Sequence, residues 1–203
     1  MVGTGLVSNL SRPDANVTGQ NLLFIDLAGK RLQLLQETLP RASRIAVFGC
    51  GPGTEMGLSW PSVEEANKSF KFQLLQYTPQ TVDEVTAALK DASTRRAEGV
   101  LVLDCPRFNS LDRVPLLRHR LPAIYYVESF VWAGGLMSYS PDPYAFFRRS
   151  AWYIDRVLRG TTPADLPVEQ PTQLRLVINL RTARDLGLTI PPSVLLRADH
   201  VIE

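Results

Sequence analysis

"RIAVFGCGPGTEMGLSW", residues Arg44 to Trp60, sets a short apolar run against three glycines and a proline, then resumes. Ile45-Ala46-Val47-Phe48 has the length and continuity of a strand covered on both faces. Gly49-Cys50-Gly51-Pro52-Gly53-Thr54 must turn the chain, and a helix is predicted from Glu55 to Ser69. Backbone N–H groups left open where such a turn enters a helix favour an anionic group.

The same unit recurs on either side. Leu32, Leu35 and Leu39 fall at helical spacing from Ala28 to Leu39, and Pro40 stops that helix. Phe70 to Tyr77 reads as a second strand. Thr81 or Asp83 caps a helix with Val82, Val85 and Leu89 on one face. Val100 to Leu103 is a third strand, Ser110 to His119 a helix, and Ala123 to Val127 a fourth strand. This alternation predicts an α/β fold with a doubly wound parallel sheet, helices on both faces, over about Ala28 to Trp132.

Beyond Trp132 the pattern changes. "GLMSYSPDP" is a short strand entering a proline turn, and a helix follows from Tyr144 to Arg159 with Phe147, Ala151, Ile154 and Leu158 on one face. "GTTPADLPVEQP" is an extended crossing, "LRLVINL" a strand, and Thr182 to Leu186 a short helix ended by Gly187. The tail is expected to cross between lobes and not to extend the sheet as regular βα units.

Composition narrows the function. At 203 residues, 45% apolar and 21% charged, the chain is of ordinary globular make-up and long enough for a sizeable core. A net charge of +2 with scattered arginines and no polybasic run argues against nucleic acid. No apolar run approaches the ~18 residues of a membrane span, and the start lacks the pattern of an export signal. Two cysteines and two histidines are too few for a structural zinc site. No catalytic set is visible: His119 lies at a helix end with no serine or cysteine paired to it by motif, and Asp142 in "SPDP" is a turn former.

Alone, the glycine turn resembles the first motif of S-adenosylmethionine-dependent methyltransferases. That chemistry needs a carboxylate at the end of the next strand for the ribose hydroxyls. Here that strand ends "LLQYTPQT", Val47 and Phe48 stand where an acidic residue precedes the glycines, and G-x-G-x-x-G is not completed. The glycines are present and their partner carboxylates are not. A methyltransferase-like domain remains the alternative reading.

Four stretches together resemble the solute-binding proteins of ABC importers, in the branch associated with tryptophan and tyrosine. They are "GTGLVSNLSRPDANVTG", "LAGKRLQLLQETLPRASRIAV", "LPAIYYVESFVWAGGLMSYSPD" and the tail from "GTTPADLPVEQP" to "LLRADHVIE". The resemblance implies a type I periplasmic-binding-protein-like lobe, with a small amino-acid-like solute as ligand, a membrane permease as partner, and no cofactor or catalysis. It implies an inter-lobe crossing at residues 1–20, a ligand-binding lobe at 21–134, and crossing and completing segments at 135–203. It also implies a periplasmic location, with a signal peptide and most of a first lobe ahead of the point where this sequence begins. A genuinely shortened gene product would instead be cytoplasmic. Asn16 and Thr18 form an N-x-T sequon that the resemblance assigns to a crossing.

In open α/β sheets the ligand lies beyond the carboxyl ends of strands where strand order reverses. With the order 2-1-3-4-5, the strands ending at Phe48 and Leu103 flank that crevice. The candidate ligand-binding residues are Cys50, Gly51, Gly53, Thr54 and Glu55 after the first strand, Asp104 and Phe108 after the third, and Glu128 and Phe130 after the fourth. Asp104 suits an amino group, and Phe108 and Phe130 suit an aromatic or aliphatic part. The competing readings are a turn or cap for Asp104, core packing for both phenylalanines, and a helix cap for Glu128. Where the family commonly has an asparagine- and proline-rich turn, this chain has Cys50 to Glu55, which leaves the ligand's identity open.

Cys50 and Cys105 each directly follow a strand, and adjacent strands would bring their Cα atoms within the ~4.4–6.8 Å that a disulfide needs. Two separate thiols on the crevice wall is the preferred reading of the pair. A chain with one full lobe is further expected to bind solute weakly and to form a homodimer that covers Phe147, Ala151, Ile154 and Leu158. A truncated interaction module that binds no solute is the third reading.

Overall fold

The computed structural model describes residues 7–13, 16–50, 55–105, 108 and 120–203, with only the backbone of 55–57. The chain divides into two compact units, Met1–Leu23 with Pro141–Leu174 and Phe24–Ser140 with Arg175–Glu203. It therefore passes from one unit to the other three times.

The larger unit is built on a sheet whose strands are β1 (Arg44–Phe48), β2 (Gln73–Tyr77), β3 (Gly99–Val102), β4 (Ala123–Tyr125), β5 (Met137–Pro141), β6 (Leu174–Asn179) and β7 (His200–Ile202). Their order is β2-β1-β3-β4-β5-β6-β7. The pairs β1–β2, β1–β3, β3–β4, β4–β5 and β6–β7 are parallel. The helices are α1 (Ala28–Thr38), α2 (Glu55–Phe70), α3 (Val82–Thr94), α4 (Ser129–Trp132), α5 (Pro143–Leu158), α6 (Leu180–Asp185) and α7 (Pro192–Leu195).

Successive strand residues point to opposite faces, and the core divides accordingly. Ile45, Val47, Leu101 and Ile124 join Leu32 and Leu35 of α1, Ala183 of α6 and Val194 of α7 in one cluster. Ala46, Phe48, Val100, Val102 and Tyr125 join Val85, Leu89 and Ala92 of α3 in the other. Both faces of the central strands are thus covered, which is why β1 and β3 read as unbroken apolar runs. Thr81 caps α3, its side chain accepting from the Glu84 N–H.

Two expectations are corrected. The second strand begins at Gln73, not Phe70, because α2 runs through Phe70. Lys71 turns the chain at φ 57°. The Asn67 side chain then closes the turn, accepting from the Phe72 N–H at 2.9 Å and donating to its carbonyl at 3.0 Å. The tail does extend the sheet: β5 pairs with β4, and β6 and β7 pair with each other. One or two short helices suffice to connect β4 to β5 and β6 to β7, and β7 is three residues long, too short for its pattern to announce it. The predicted helix from Ser110 to His119 lies outside the described residues.

The smaller unit has α5 as its main element. Asp142 caps α5, accepting from the N–H groups of Tyr144 and Ala145, with Pro143 in the first turn, where it needs no N–H partner. Tyr153 donates its hydroxyl to the Pro167 carbonyl at 2.6 Å. Residues 19–21 run beside Glu169, exchanging backbone bonds of 2.8 and 2.9 Å. Arg149 forks onto the Glu169 carboxylate through Nε at 2.7 Å and Nη2 at 2.5 Å, and lies 3.8 Å from the centre of the Trp152 ring.

Candidate functional site

The strand order reverses at β1 and β3: the chain goes from β1 to β2 on one side and returns to β3 on the other. The carboxyl ends of these strands carry Gly49-Cys50 and Leu103-Asp104-Cys105. Cys50 and Cys105 are joined in a disulfide with their Cα atoms 5.4 Å apart. This corrects the preference for two separate thiols. Parallel neighbours in register deliver both residues to one edge, where Leu103 N–H also donates to Phe48 O at 2.8 Å.

Around the bridge stands a wall of rings. The Tyr126 hydroxyl donates to the Cys105 carbonyl at 3.2 Å. Tyr126 meets Phe24 edge-on at 5.8 Å and Phe130 at 5.7 Å, and Phe130 stacks on Tyr125 at 4.8 Å. Burial pushes the Tyr125 hydroxyl pKa well above its ordinary value.

Behind this wall lies Arg31, in the first turn of α1 and fully buried. Its Nε donates to the Tyr139 carbonyl at 2.8 Å and Nη1 to the Phe24 carbonyl at 3.2 Å. Its Nη2 is buried with no hydrogen-bond partner among the described residues. Burial lowers the guanidinium pKa to about 10, opposed by the negative charge of Asp104. A fully buried cation and a half-buried carboxylate therefore act on each other at the carboxyl edge of the sheet.

The sequence-predicted residues fare differently. Cys50 and Cys105 form the bridge, and Asp104 stands beside it, half-buried. Phe108 and Phe130 are buried in the core cluster on the α3 face, the packing that competed with ligand contact for them. Glu128 makes no side-chain cap bond to α4; its carboxylate lies 3.2 Å from Arg175 of β6. Gly51, Gly53 and Thr54 lie outside the described residues, as does the Glu55 side chain. Sequence reasoning missed Arg31, Phe24, Tyr126 and Tyr139. One signal was available: Arg31 sits four positions before Leu35, on the face α1 buries.

The smaller unit holds a separate concavity of about 450 Å³ lined by Gln20, Phe146, Arg149, Glu169 and Gln173 among others. Arg149 and Glu169 there are paired with each other, and Asp142, also on its wall, caps α5. Among the described residues no group of His, Cys, Asp or Glu is arranged to hold a metal ion, and no helix is long and apolar enough to cross a membrane.

A mostly parallel sheet, covered on both faces, with its strand order reversing beside an open carboxyl edge, defines a type I periplasmic-binding-protein-like lobe. The chain matches the family model for ABC transporter substrate binding proteins over residues 1–202, and it belongs to that family. A conserved domain protein from Vibrio cholerae O1 biovar El Tor is similar at 27% identity with a TM-score of 0.85, covering 98% of this chain and 68% of that one. The ABC domain in complex with L-Trp from Streptococcus pneumonia aligns at 23% identity and a TM-score of 0.85, covering 99% and 70%. An ABC transporter periplasmic solute binding protein from Actinobacillus succinogenes, with bound D-allose, aligns at 9% identity and a TM-score of 0.58, covering 84% and 65%. No curated protein matches the chain.

Proposed function

We propose that this chain is the solute-recognising component of an ABC importer, taking a small amino-acid-like ligand at the carboxyl edge of β1 and β3 and handing it to a membrane permease without chemical change. The observation that carries the reading is membership of the substrate-binding family over residues 1–202. The ligand class draws on two supports. A structural neighbour holds L-Trp. The edge of the larger unit also sets the half-buried Asp104 carboxylate near a ring wall, which suits the amino group and side chain of such a ligand.

In this reading Cys50 and Asp104 line the site together with Gly51, Gly53, Thr54 and Glu55, while Phe108, Phe130 and Glu128 support its wall. The protein works in the periplasm, since a disulfide such as Cys50–Cys105 persists in oxidising compartments.

Calorimetry of the 203-residue chain against the amino acids, D-allose and S-adenosylmethionine tests the reading. Heat from one or a few amino acids, with none from the other two, is the expected result. Binding of D-allose alone would move the ligand class to sugars. S-adenosylmethionine binding alone would return the glycine turn to methyltransferase chemistry.

A further inference from the structure

The bond between Cys50 and Cys105 lies just past the strands it joins. The β1–β3 ladder runs from Ile45 opposite Gly99 to Phe48 opposite Val102, and the Leu103 N–H still donates to the Phe48 carbonyl at 2.8 Å. Four register pairs thus join these strands without help from the sulfurs. Carried onward, the same register would set Cys50 opposite Asp104. The sulfur bonds instead to the next residue, Cys105.

The chain leaves the strand path at the same point. Val102 packs on the α3 side of the sheet and Leu103 on the α1 side. Strict alternation would send Cys105 to the α1 side with Leu103. Cys105 is buried on the α3 side, with Val102 and Cys50. The backbone therefore turns at Asp104, the half-buried carboxylate of this edge.

Past the last ladder pair, strand pairing no longer fixes the backbone, and here other bonds take over. On one side of Asp104, Leu103 is held to β1 through its N–H. On the other, Cys105 is held through its sulfur by Cys50, and through its carbonyl by the Phe108 N–H at 2.9 Å and the Tyr126 hydroxyl at 3.2 Å. Tyr126 is buried against the Phe24 and Phe130 rings, which keep its hydroxyl in place. The two cysteines are buried while Asp104 is more open, so a solute at this edge meets chiefly the carboxylate that the bond places.

We propose that the Cys50–Cys105 bond, backed by the Tyr126 hydroxyl, is a positioning device for Asp104. It fixes the chain on the far side of the turn and so pre-organises the carboxylate for the amino group of a solute. The inference rests on the reading of this edge as the solute site. Pre-organisation removes part of the ordering cost of binding, an effect separate from any gain in fold stability.

Nitrogen-15 relaxation on the full chain tests the positioning with no solute present. In the wild type the Asp104 amide should have the order parameter of a rigid strand, about 0.85. In Cys50→Ala/Cys105→Ala it should fall below about 0.6 while Val47 and Leu101 keep their values. Tyr126→Phe, which leaves the bond and the ring, should lower the Asp104 value by a smaller step, and it decides the matter where the double variant does not fold. Calorimetry with L-tryptophan adds a second readout. Loss of the bond should weaken binding about two- to tenfold, through a less favourable entropy. The same loss should change nothing once Asp104→Asn has been made, since the bond acts through that carboxylate. A wild type that binds neither L-tryptophan nor any other amino acid would overturn the solute reading, and relaxation alone would then decide the positioning. An Asp104 amide as ordered without the bond or the hydroxyl as with them would overturn the proposal. So would an affinity loss just as large in the Asp104→Asn background.

Discussion

Cys50 and Cys105 are bonded across neighbouring strands, 55 positions apart in sequence and 5.4 Å apart at Cα. The bond ties the exit of β1 to the exit of β3, the two strands between which the sheet changes direction. Closing a loop of that length mainly restricts the unfolded chain. Replacing both cysteines by alanine should lower unfolding stability by roughly 2–4 kcal/mol in a urea titration. Thiol titration of the unfolded, unreduced wild type should find no free thiol.

Arg31 offers a second measurement. It satisfies two backbone carbonyls, of Phe24 and Tyr139, and its burial has already cost the guanidinium part of its solvation. Arg31→Met removes the buried charge and strands both acceptors. An unsatisfied buried acceptor costs ~1–3 kcal/mol, so a net loss of roughly 2 kcal/mol is expected by chemical denaturation. Arg31→Lys keeps the charge but not the planar fork, and should recover only part of that loss.

Glu98 makes stability depend on acid. Its Oε2 accepts from the Ser43 N–H at 2.7 Å, the Ser43 hydroxyl at 2.9 Å and the Arg44 N–H at 3.1 Å. The Ser43 N–H bond is the largest cause holding its pKa below the ordinary 4.5. A carboxyl whose folded pKa is depressed contributes stability above the unfolded value and loses it as pH falls through the folded one. Glu98→Gln should therefore lower the urea midpoint at pH 7 and converge with the wild type once the pH has fallen through the depressed folded pKa. Because Glu98 is exposed, the difference at neutral pH should be small. Parallel curves at both pH values would contradict this linkage.

Gly135 tests packing without backbone strain. A Cβ there would lie 2.5 Å from Tyr125 Cε2 and 2.8 Å from the Phe130 carbonyl oxygen. The ring is held by its stack on Phe130, so neither atom yields easily. Gly135→Ala should cost about 1–3 kcal/mol, read as a lower melting temperature, with a change in near-ultraviolet circular dichroism from the displaced rings. Gly187→Ala meets no atom within 4 Å but must hold φ +68°. Its cost should be smaller, about 1 kcal/mol, and its aromatic spectrum unchanged.

Much of the larger unit was legible in the sequence, for a physical reason. The core strands β1 and β3 are buried on both faces, so every residue must be apolar, and a run such as Ile45-Ala46-Val47-Phe48 suits no half-exposed strand or surface helix. Helices α1 and α3, and α5 of the smaller unit, declared themselves through apolar spacing, and α3 also through the cap at Thr81; Asp142, read as a turn former, proved to cap α5. The order β2-β1-β3-β4-β5 is the one a doubly wound sheet of this kind commonly has, and no residue of the sequence specifies it. The edge where ligand would lie followed from that order.

Tertiary structure alone decided the rest. Whether Cys50 and Cys105 bond depends on register, because a shift of one residue would have turned one sulfur away. Glu128 pairs with Arg175, 47 positions on, a meeting that only the placement of β6 arranges. Arg31, which the sequence did not single out, is buried because α1 docks with its guanidinium against Phe24 and the Tyr139 carbonyl. Strand β7 has too few residues to show a period and exists because β6 presents a free edge to it. Local pattern records which face a residue turns inward; it carries no record of which distant residue it will find there.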